Sequence, residues 1–391
     1  MQSTQIRLLE LEKQAPFIGY YKVGEHKFIH KLDAYIMSKH TKQPAEWLFH
    51  HEVFQHIDWT HIPDQGLSEL YRLRALELRE RYDYISVRYS GGWDSFTAID
   101  SFLSNGIHLD EIIFHFPVEL YQQSNYEVNT LDRSPGNWIS EFELVVKGNL
   151  DRWKLEHPRT KITIYDYSKD FRTSIQEDDF SIKYSGTFTP GKGICHANYE
   201  RTSEFLNIAD KKNRVATIYG IDKPKITKVG SDYYLYFLDI TVQLCGRRYN
   251  EITADNTDVV PFYWGSDLTC INIIKKQTSI IKNWSKLHPE KDWLFKHLTP
   301  EQSTLYHEAM KPLIYPKYRP EAFQTNKPTS WFFLENDRIT FGVMVKEKPM
   351  QIYVSGIKQI LNMVNPEHII LNPGTNLPRM LKPMASPKYK I

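Results

Sequence analysis

Tyr84-Ile85-Ser86-Val87-Arg88-Tyr89-Ser90-Gly91-Gly92-Trp93-Asp94-Ser95 is the stretch that decides the fold. Its first six residues include the β-branched and aromatic side chains that suit a strand. Two glycines then permit a sharp turn, and Phe96, Ile99, Phe102 and Leu103 recur at helical spacing. Asn105-Gly106 supplies a helix stop. Glu111-Ile112-Ile113-Phe114-His115-Phe116 follows as a second strand, ended by Pro117. Strand, helix and strand fit within about 35 residues, as a parallel βαβ unit requires.

Working outward, residues 161–167 and 214–219 read as further strands and 198–209 as a helix. Strands alternating with helices predict an α/β fold, a Rossmann-like doubly wound parallel sheet. Residues 232–244 and 258–264 read as further strands or extended loops, and 271–287 reads as a helix. On the N-terminal side, Leu recurs among Arg and Glu over 69–80, the pattern of an amphipathic helix with a solvated face. A loop precedes it around Pro63-Asp64-Gln65-Gly66. The expected organisation is a helical N-terminal lobe over 1–80, a nucleotide-binding α/β domain over 81–270 and a mixed α+β extension over 271–391 that is expected to bind the acceptor or a partner. Within that extension, 331–334 and 339–345 flank Glu335-Asn336-Asp337 as a hairpin. A short helix is expected over 357–364 and an exposed tail at Met384-Ala385-Ser386-Pro387-Lys388-Tyr389-Lys390-Ile391.

The 391 residues carry 49 basic and 47 acidic side chains, 41% hydrophobic residues and 25% charged ones. Those proportions exclude a disordered charged tail, a collagen and a coiled-coil rod. Cys195, Cys245 and Cys270 lie far apart and form no CxxC pair, which favours a reducing, cytoplasmic setting. The first residues lack the apolar core of a secretory signal, and no apolar run approaches the ~20 residues of a membrane span. Aromatic residues make up 14% of the chain but are spread along it, so they read as core payload.

The turn itself carries the chemistry. A helix N-terminus offers unpaired amides and a dipole that favours anions. Gly91 and Gly92 let the backbone approach a ligand without a Cβ. Ser90 and Ser95 add hydroxyl donors for phosphate oxygens. Asp94 would repel phosphate unless a divalent cation lay between them, so its presence points to Mg²⁺. Five fixed positions of this kind arise by chance in a chain of this length about once in a thousand. GxxxxGK[ST] is absent, so this is no Walker A loop.

Ser90-Gly91-Gly92-Trp93-Asp94-Ser95, as SGGxDS after a first strand, resembles the PP-loop ATP pyrophosphatases. These belong to the adenine-nucleotide alpha-hydrolase-like group, which includes amidating synthetases, tRNA-modifying ligases and the sulfonucleotide (PAPS) reductases. The resemblance covers about residues 81 to 225. It implies ATP and Mg²⁺ as cofactors, cleavage of ATP between the α and β phosphates, and adenylation of an acceptor. Ser90, Gly91, Gly92, Trp93, Asp94 and Ser95 would then bind the nucleotide, with Asp94 also catalytic and a metal ligand.

Gly220-Ile221-Asp222-Lys223-Pro224-Lys225 follows a later strand, where relatives often place a charged loop facing the departing pyrophosphate. By that resemblance Lys223 would neutralise the leaving group and Asp222 share the metal, although Lys223 also reads as an ordinary surface-turn residue. Relatives hold the adenine at the end of the second strand, here Phe114, His115 and Phe116. A partly buried histidine with one hydrogen bond is the other reading of His115. Gly191-Lys192-Gly193-Ile194-Cys195-His196 is a second candidate, read as a flexible basic loop that would line the pocket and let Lys192 position a phosphate. A nucleophilic Cys195 is the less favoured alternative there, since neighbouring side chains diverge.

His51-Glu52-Val53-Phe54-Gln55-His56 misses HExxH by one place, so it is not read as a zinc site. The sequence therefore favours an AMP- and pyrophosphate-forming ligase or nucleotidyl-activating enzyme acting on a small-molecule or nucleic-acid acceptor. A non-catalytic nucleotide sensor is the rival reading. A sulfonucleotide reductase is disfavoured because no cysteine lies in the last hundred residues. Lys275, Lys276 and Lys282, with Lys382, Lys388 and Lys390 of the tail, motivate a third reading, in which the flanks hold nucleic acid. No membrane partner is expected, and self-association is left open.

Overall fold

The computed structural model describes residues 19–28, 31–123, 127–132, 138–168, 199, 202–220, 223–239, 256–296, 300–324, 362–371 and 378–391. Tyr20–Val23 (β1) and His26–Phe28 (β2) form a hairpin that reverses at Gly24, where φ is +57°. After helix α1 (Lys31–Thr41), Ala45–Leu48 (β3) returns to pair antiparallel with β1. This three-stranded sheet, ordered β2-β1-β3, corrects the expectation of a purely helical N-terminal lobe. Strands of three or four residues are too short to establish an alternating pattern against their polar neighbours.

A short helix, α2 (His51–Phe54), leads to α3 (Leu67–Arg81), which buries Leu67, Leu70, Tyr71, Ala75 and Leu78. The deciding stretch folds as its sequence predicts. Tyr84–Tyr89 (β4) is buried throughout, Trp93–Leu103 (α4) follows the turn, and Glu111–Phe116 (β5) completes the unit. Gly106, at φ +68°, closes the helix C-terminus. Val118–Gln123 (α5) and Trp138–Glu141 (α6) come next, then one π-helical turn over Phe142–Val146 and Lys147–Glu156 (α7).

Lys161–Asp166 (β6), Ser203–Ala209 (α8) and Val215–Tyr219 (β7) follow. Thr202 caps α8 by accepting from the Phe205 amide at 3.3 Å. Lys225–Val229 (β8) and Asp232–Tyr236 (β9) form a second hairpin. Thr257–Pro261 (β10) precedes the long helix α9 (Leu268–Leu287), a 3₁₀ turn over Pro289–Lys296 and α10 (Pro300–Ile314). Ile369–Leu371 (β11) pairs with Pro378–Leu381 (β12), and Tyr389–Lys390 (β13) adds to β9.

The central sheet is five-stranded, parallel and ordered β10-β7-β4-β5-β6. Helices cover both faces, so the fold is α/β and Rossmann-like. Helix α3 packs with α4 and α9 against the large core cluster, and α8 lies over the opposite cluster of Tyr84, Ile113, Phe205 and Val215. From β4 the chain winds outward through β5 and β6, then returns to β7 on the other side of β4. Strand order therefore reverses between β4 and β7, and open α/β sheets bind ligands in the crevice beyond such a reversal.

One core runs from Tyr21 near the start to Ile391 at the end. A buried ion pair helps close it. Lys31 Nζ lies 2.6 Å from Asp239 Oδ2, both side chains fully buried, while Tyr21 Oη donates to the same carboxylate at 2.8 Å. The tail is not exposed as expected. Tyr389 and Ile391 are each 6% exposed, and Lys282 Nζ donates to the Ile391 carbonyl at 2.7 Å. Tyr389 and Ile391, two apart, turn to the same side of the chain and enter the core as β13 pairs along the edge of β9.

Lysines that motivated a nucleic-acid face are partly committed elsewhere. Lys276 donates to the Pro63 carbonyl at 2.9 Å, and Lys390 pairs with Asp232 at 2.9 Å. Cys270 is a buried free thiol whose pKa burial pushes well up, so it is not poised as a nucleophile. The hairpin expected over 331–345, most of the helix over 357–364, and Lys192, Cys195 and Asp222 lie outside the described residues. Among the described residues no helix is long and apolar enough to cross a membrane.

Candidate functional site

Ser90 to Ser95 occupy the C-terminal end of β4, and Gly220 and Lys223 follow the C-terminal end of β7, so the two segments flank the strand-order reversal. Gly91 takes φ +81°, the left-handed region that disfavours other residues. A Cβ there would lie 2.9 Å from Val146 Cγ2, so the π-helical turn packs directly on the loop. Gly92 caps α4 in an extended conformation, with its carbonyl accepting from the Phe96 amide at 3.0 Å. The Gly92 amide meets Ser90 Oγ at 3.4 Å, and among the described residues no side chain caps the first turn of the helix, which leaves those amides for another acceptor.

The two serines divide the work. Ser95, 2% exposed, accepts from the Ser90 amide at 3.0 Å and donates to the Gly92 carbonyl at 3.1 Å. It braces the turn from inside. Ser90 is exposed at the rim, with its hydroxyl 3.0 Å from that of Ser95. Trp93 is buried against Phe96 and Tyr318, at ring distances of 5.1 and 5.2 Å, and its indole N–H has no partner among the described residues.

Two long-range contacts fix the start of α4 against the other half of the crevice. A Cβ on Gly220 would lie 2.6 Å from the Asp94 carbonyl oxygen and 2.7 Å from Ser95 Cα, both backbone, so only glycine allows this approach. Tyr263 Oη donates to the same Asp94 carbonyl at 2.6 Å. The Asp94 side chain is then met by Lys223, whose Nζ lies 2.5 Å from Oδ1. The Tyr315 hydroxyl donates to that oxygen and accepts from Lys223. Oδ2 has no hydrogen-bond partner among the described residues.

Burial works against the Asp94 carboxylate, yet the Lys223 charge and hydrogen bond and the Tyr315 hydroxyl together hold its pKa below the usual value. Burial, reinforced by the charge of Asp94, pushes the Tyr315 hydroxyl well up, so it stays protonated and donating. An ammonium has three donors. Lys223 uses two, on Asp94 and Tyr315, and the third has no partner among the described residues. What results is the uncapped first turn of α4 beside one carboxylate oxygen and one ammonium donor that have no partner among the described residues.

Phe114, His115 and Phe116 do not share a face. Phe114 and Phe116 turn toward the α4 side and stack on Phe142, at ring distances of 5.5 and 4.0 Å. His115 turns the other way, half-buried against Arg88 and, at 5.3 Å, the Tyr165 ring. Sequence reasoning missed Tyr263, Tyr315, Lys317 and Tyr318. No local motif marks them, because what makes them part of the site is proximity across the fold.

Among the described residues no group of three or more His, Cys, Asp or Glu could hold a metal by itself. Magnesium at a nucleotide site commonly takes one or two carboxylates and otherwise phosphate and water oxygens. The free Asp94 Oδ2 beside uncapped amides fits that arrangement, in which the metal arrives with the phosphates. A scan against protein-family models finds no match for the chain, and a search of curated proteins finds none either.

Proposed function

We propose that this chain is an ATP-dependent enzyme of the PP-loop type, which cleaves ATP between the α and β phosphates and adenylates an acceptor. The observation that carries the reading is the Ser90–Ser95 turn at the strand-order reversal, with Lys223 delivered onto Asp94 from the neighbouring strand's loop. Fold and motif agree here: the loop resembles the PP-loop in sequence and stands where α/β sheets bind ligands.

The roles follow from the donors available. The amides of Gly91 and the first turn of α4 would take phosphate oxygens, aided by the helix dipole, and the Gly92 amide would join them by exchanging its 3.4 Å bond to Ser90 Oγ. Ser90 at the rim would add a hydroxyl. Asp94 Oδ2 would hold Mg²⁺, which when bound offsets phosphate charge and polarises the phosphate oxygens. The unspent donor of Lys223 would meet the charge that grows on pyrophosphate as it leaves. It needs no release from Asp94 to do so. Phe114 and Phe116 are filled by Phe142, so a base docking at the end of β5 would be read by backbone groups. Lys192 and Asp222, where they contribute, do so from outside the described residues.

Incubation with ATP, Mg²⁺ and a metabolite extract, read by mass spectrometry, tests the reaction. AMP and pyrophosphate should form with one acceptor fraction, and Asp94→Ala should abolish both while the protein stays folded. ADP and phosphate as products would rule the mechanism out. A second reading, a nucleotide sensor without turnover, has one observation in its favour: Lys223 and Tyr315 already neutralise Asp94 without any metal. Tight ATP binding with no product in any fraction would select it.

A further inference from the structure

Helix α10 ends where Pro316 removes the next amide donor, and the Tyr315 amide makes the last helical bond, to the Lys311 carbonyl at 3.0 Å. The four residues Tyr315-Pro316-Lys317-Tyr318 then lie along α4. Tyr315 meets Asp94 and Lys223, Lys317 pairs with Asp100 at 2.8 Å, and the Tyr318 ring packs on Trp93. All three contacts reach the first eight residues of one helix. None comes from the βαβ unit that forms the turn.

We propose that Tyr315 is a positioning residue of the nucleotide site, and that residues 315–318 are a clamp by which the C-terminal part of the chain sets the geometry of Asp94 and Lys223. This rests on the ATP-binding reading above. The Tyr315 hydroxyl occupies one side of Oδ1 and one hydrogen of the Lys223 ammonium. With Oδ1 held by two donors, the carboxylate cannot rotate, and Oδ2 is the oxygen left to face a metal. With two of its hydrogens spoken for, the ammonium presents its third in a fixed direction. Tyr315 is itself fully enclosed, at 1% exposure, and its ring also lies 4.9 Å from Lys223 Nζ. It therefore touches the groups that would hold the nucleotide rather than the nucleotide.

A positioning role and a merely structural one separate by metal dependence. ATP is titrated calorimetrically into the full-length protein at a series of Mg²⁺ concentrations, for wild type and Tyr315→Phe. Phenylalanine keeps the ring and its packing, and melting curves on the same preparations check the fold. Expected is a roughly tenfold rise in the Mg²⁺ needed for half-maximal ATP affinity, the scale of one lost hydrogen bond to a charged group. ATP affinity without metal should stay within about twofold. An unchanged Mg²⁺ requirement, or equal losses with and without metal, overturns the role of Tyr315 while leaving ATP binding intact. Absence of ATP binding in wild type instead overturns the nucleotide reading, and this inference with it. Should Tyr315→Phe not fold, Lys317→Ala and Tyr318→Leu loosen the same clamp from the same helix. An unchanged Mg²⁺ requirement in both overturns the proposal.

Discussion

Asp94 carries both hydrogen bonds on one oxygen, and that asymmetry has a pH signature. Its folded pKa is depressed, so the stability its contacts contribute is fully present above the ordinary aspartate value and is lost as pH falls through the lower folded value. Melting curves at descending acid pH should fall more steeply for wild type than for Asp94→Asn, which has no carboxylate to protonate; parallel curves would deny the coupling. Gly220 gives a second test at this scale. Gly220→Ala places a methyl against backbone at 2.6 to 2.8 Å and should cost about 3 kcal/mol or more by denaturant unfolding. Gly106→Ala, with open space around it, should lose only about the 1–2 kcal/mol of its left-handed φ. Equal losses at the two sites would mean that the start of α4 can move away from Gly220. Asp94 stood out in the sequence because a carboxylate among glycines and serines at a helix start would repel a phosphate there unless a cation lay between them. Tyr315 and Tyr263, separated from Asp94 by 221 and 169 residues, did not, since nothing in their own neighbourhoods departs from ordinary core.

Elements were legible where their patterns are long or locally closed. β4, α4 and β5 fell where the sequence put them because strand propensity, two glycines and helical spacing agree over about thirty residues. The long helix α9 and the amphipathic α3 came through on the same grounds. The N-terminal sheet did not, since β1, β2 and β3 each offer too few residues for a period of two to stand out. Nor did β13, whose two residues form a strand only because β9 is there to receive them. β1 is tied to the molecule by a polar contact, from Tyr21 to Asp239, and the same carboxylate pairs with Lys31 at the start of α1. Replacing Asp239 with alanine leaves a buried ammonium uncompensated and should cost about 3–5 kcal/mol in equilibrium unfolding. A loss below about 1 kcal/mol would indicate that Lys31 finds water or escapes to the surface.

At the scale of the whole molecule, the sheet order creates the crevice and distant parts of the chain furnish it. The turn after β4 supplies amides, the loop after β7 supplies Lys223, and the end of α10 supplies Tyr315. The sequence located the first two because each follows a recognisable strand. It expected the C-terminal region to bind an acceptor or partner and gave no sign of its contact with Asp94, because helix α10 carries no chemistry until it is folded against α4. One core joins these regions, so the flanks are part of the architecture that holds the crevice in shape. The most direct measurement of the central claim is calorimetric titration of ATP, with Mg²⁺, into wild type and Asp94→Ala. The account predicts saturable one-site binding in wild type and roughly tenfold or greater weakening of the complex in the variant. No heat in wild type, or equal affinity in both proteins, would contradict it.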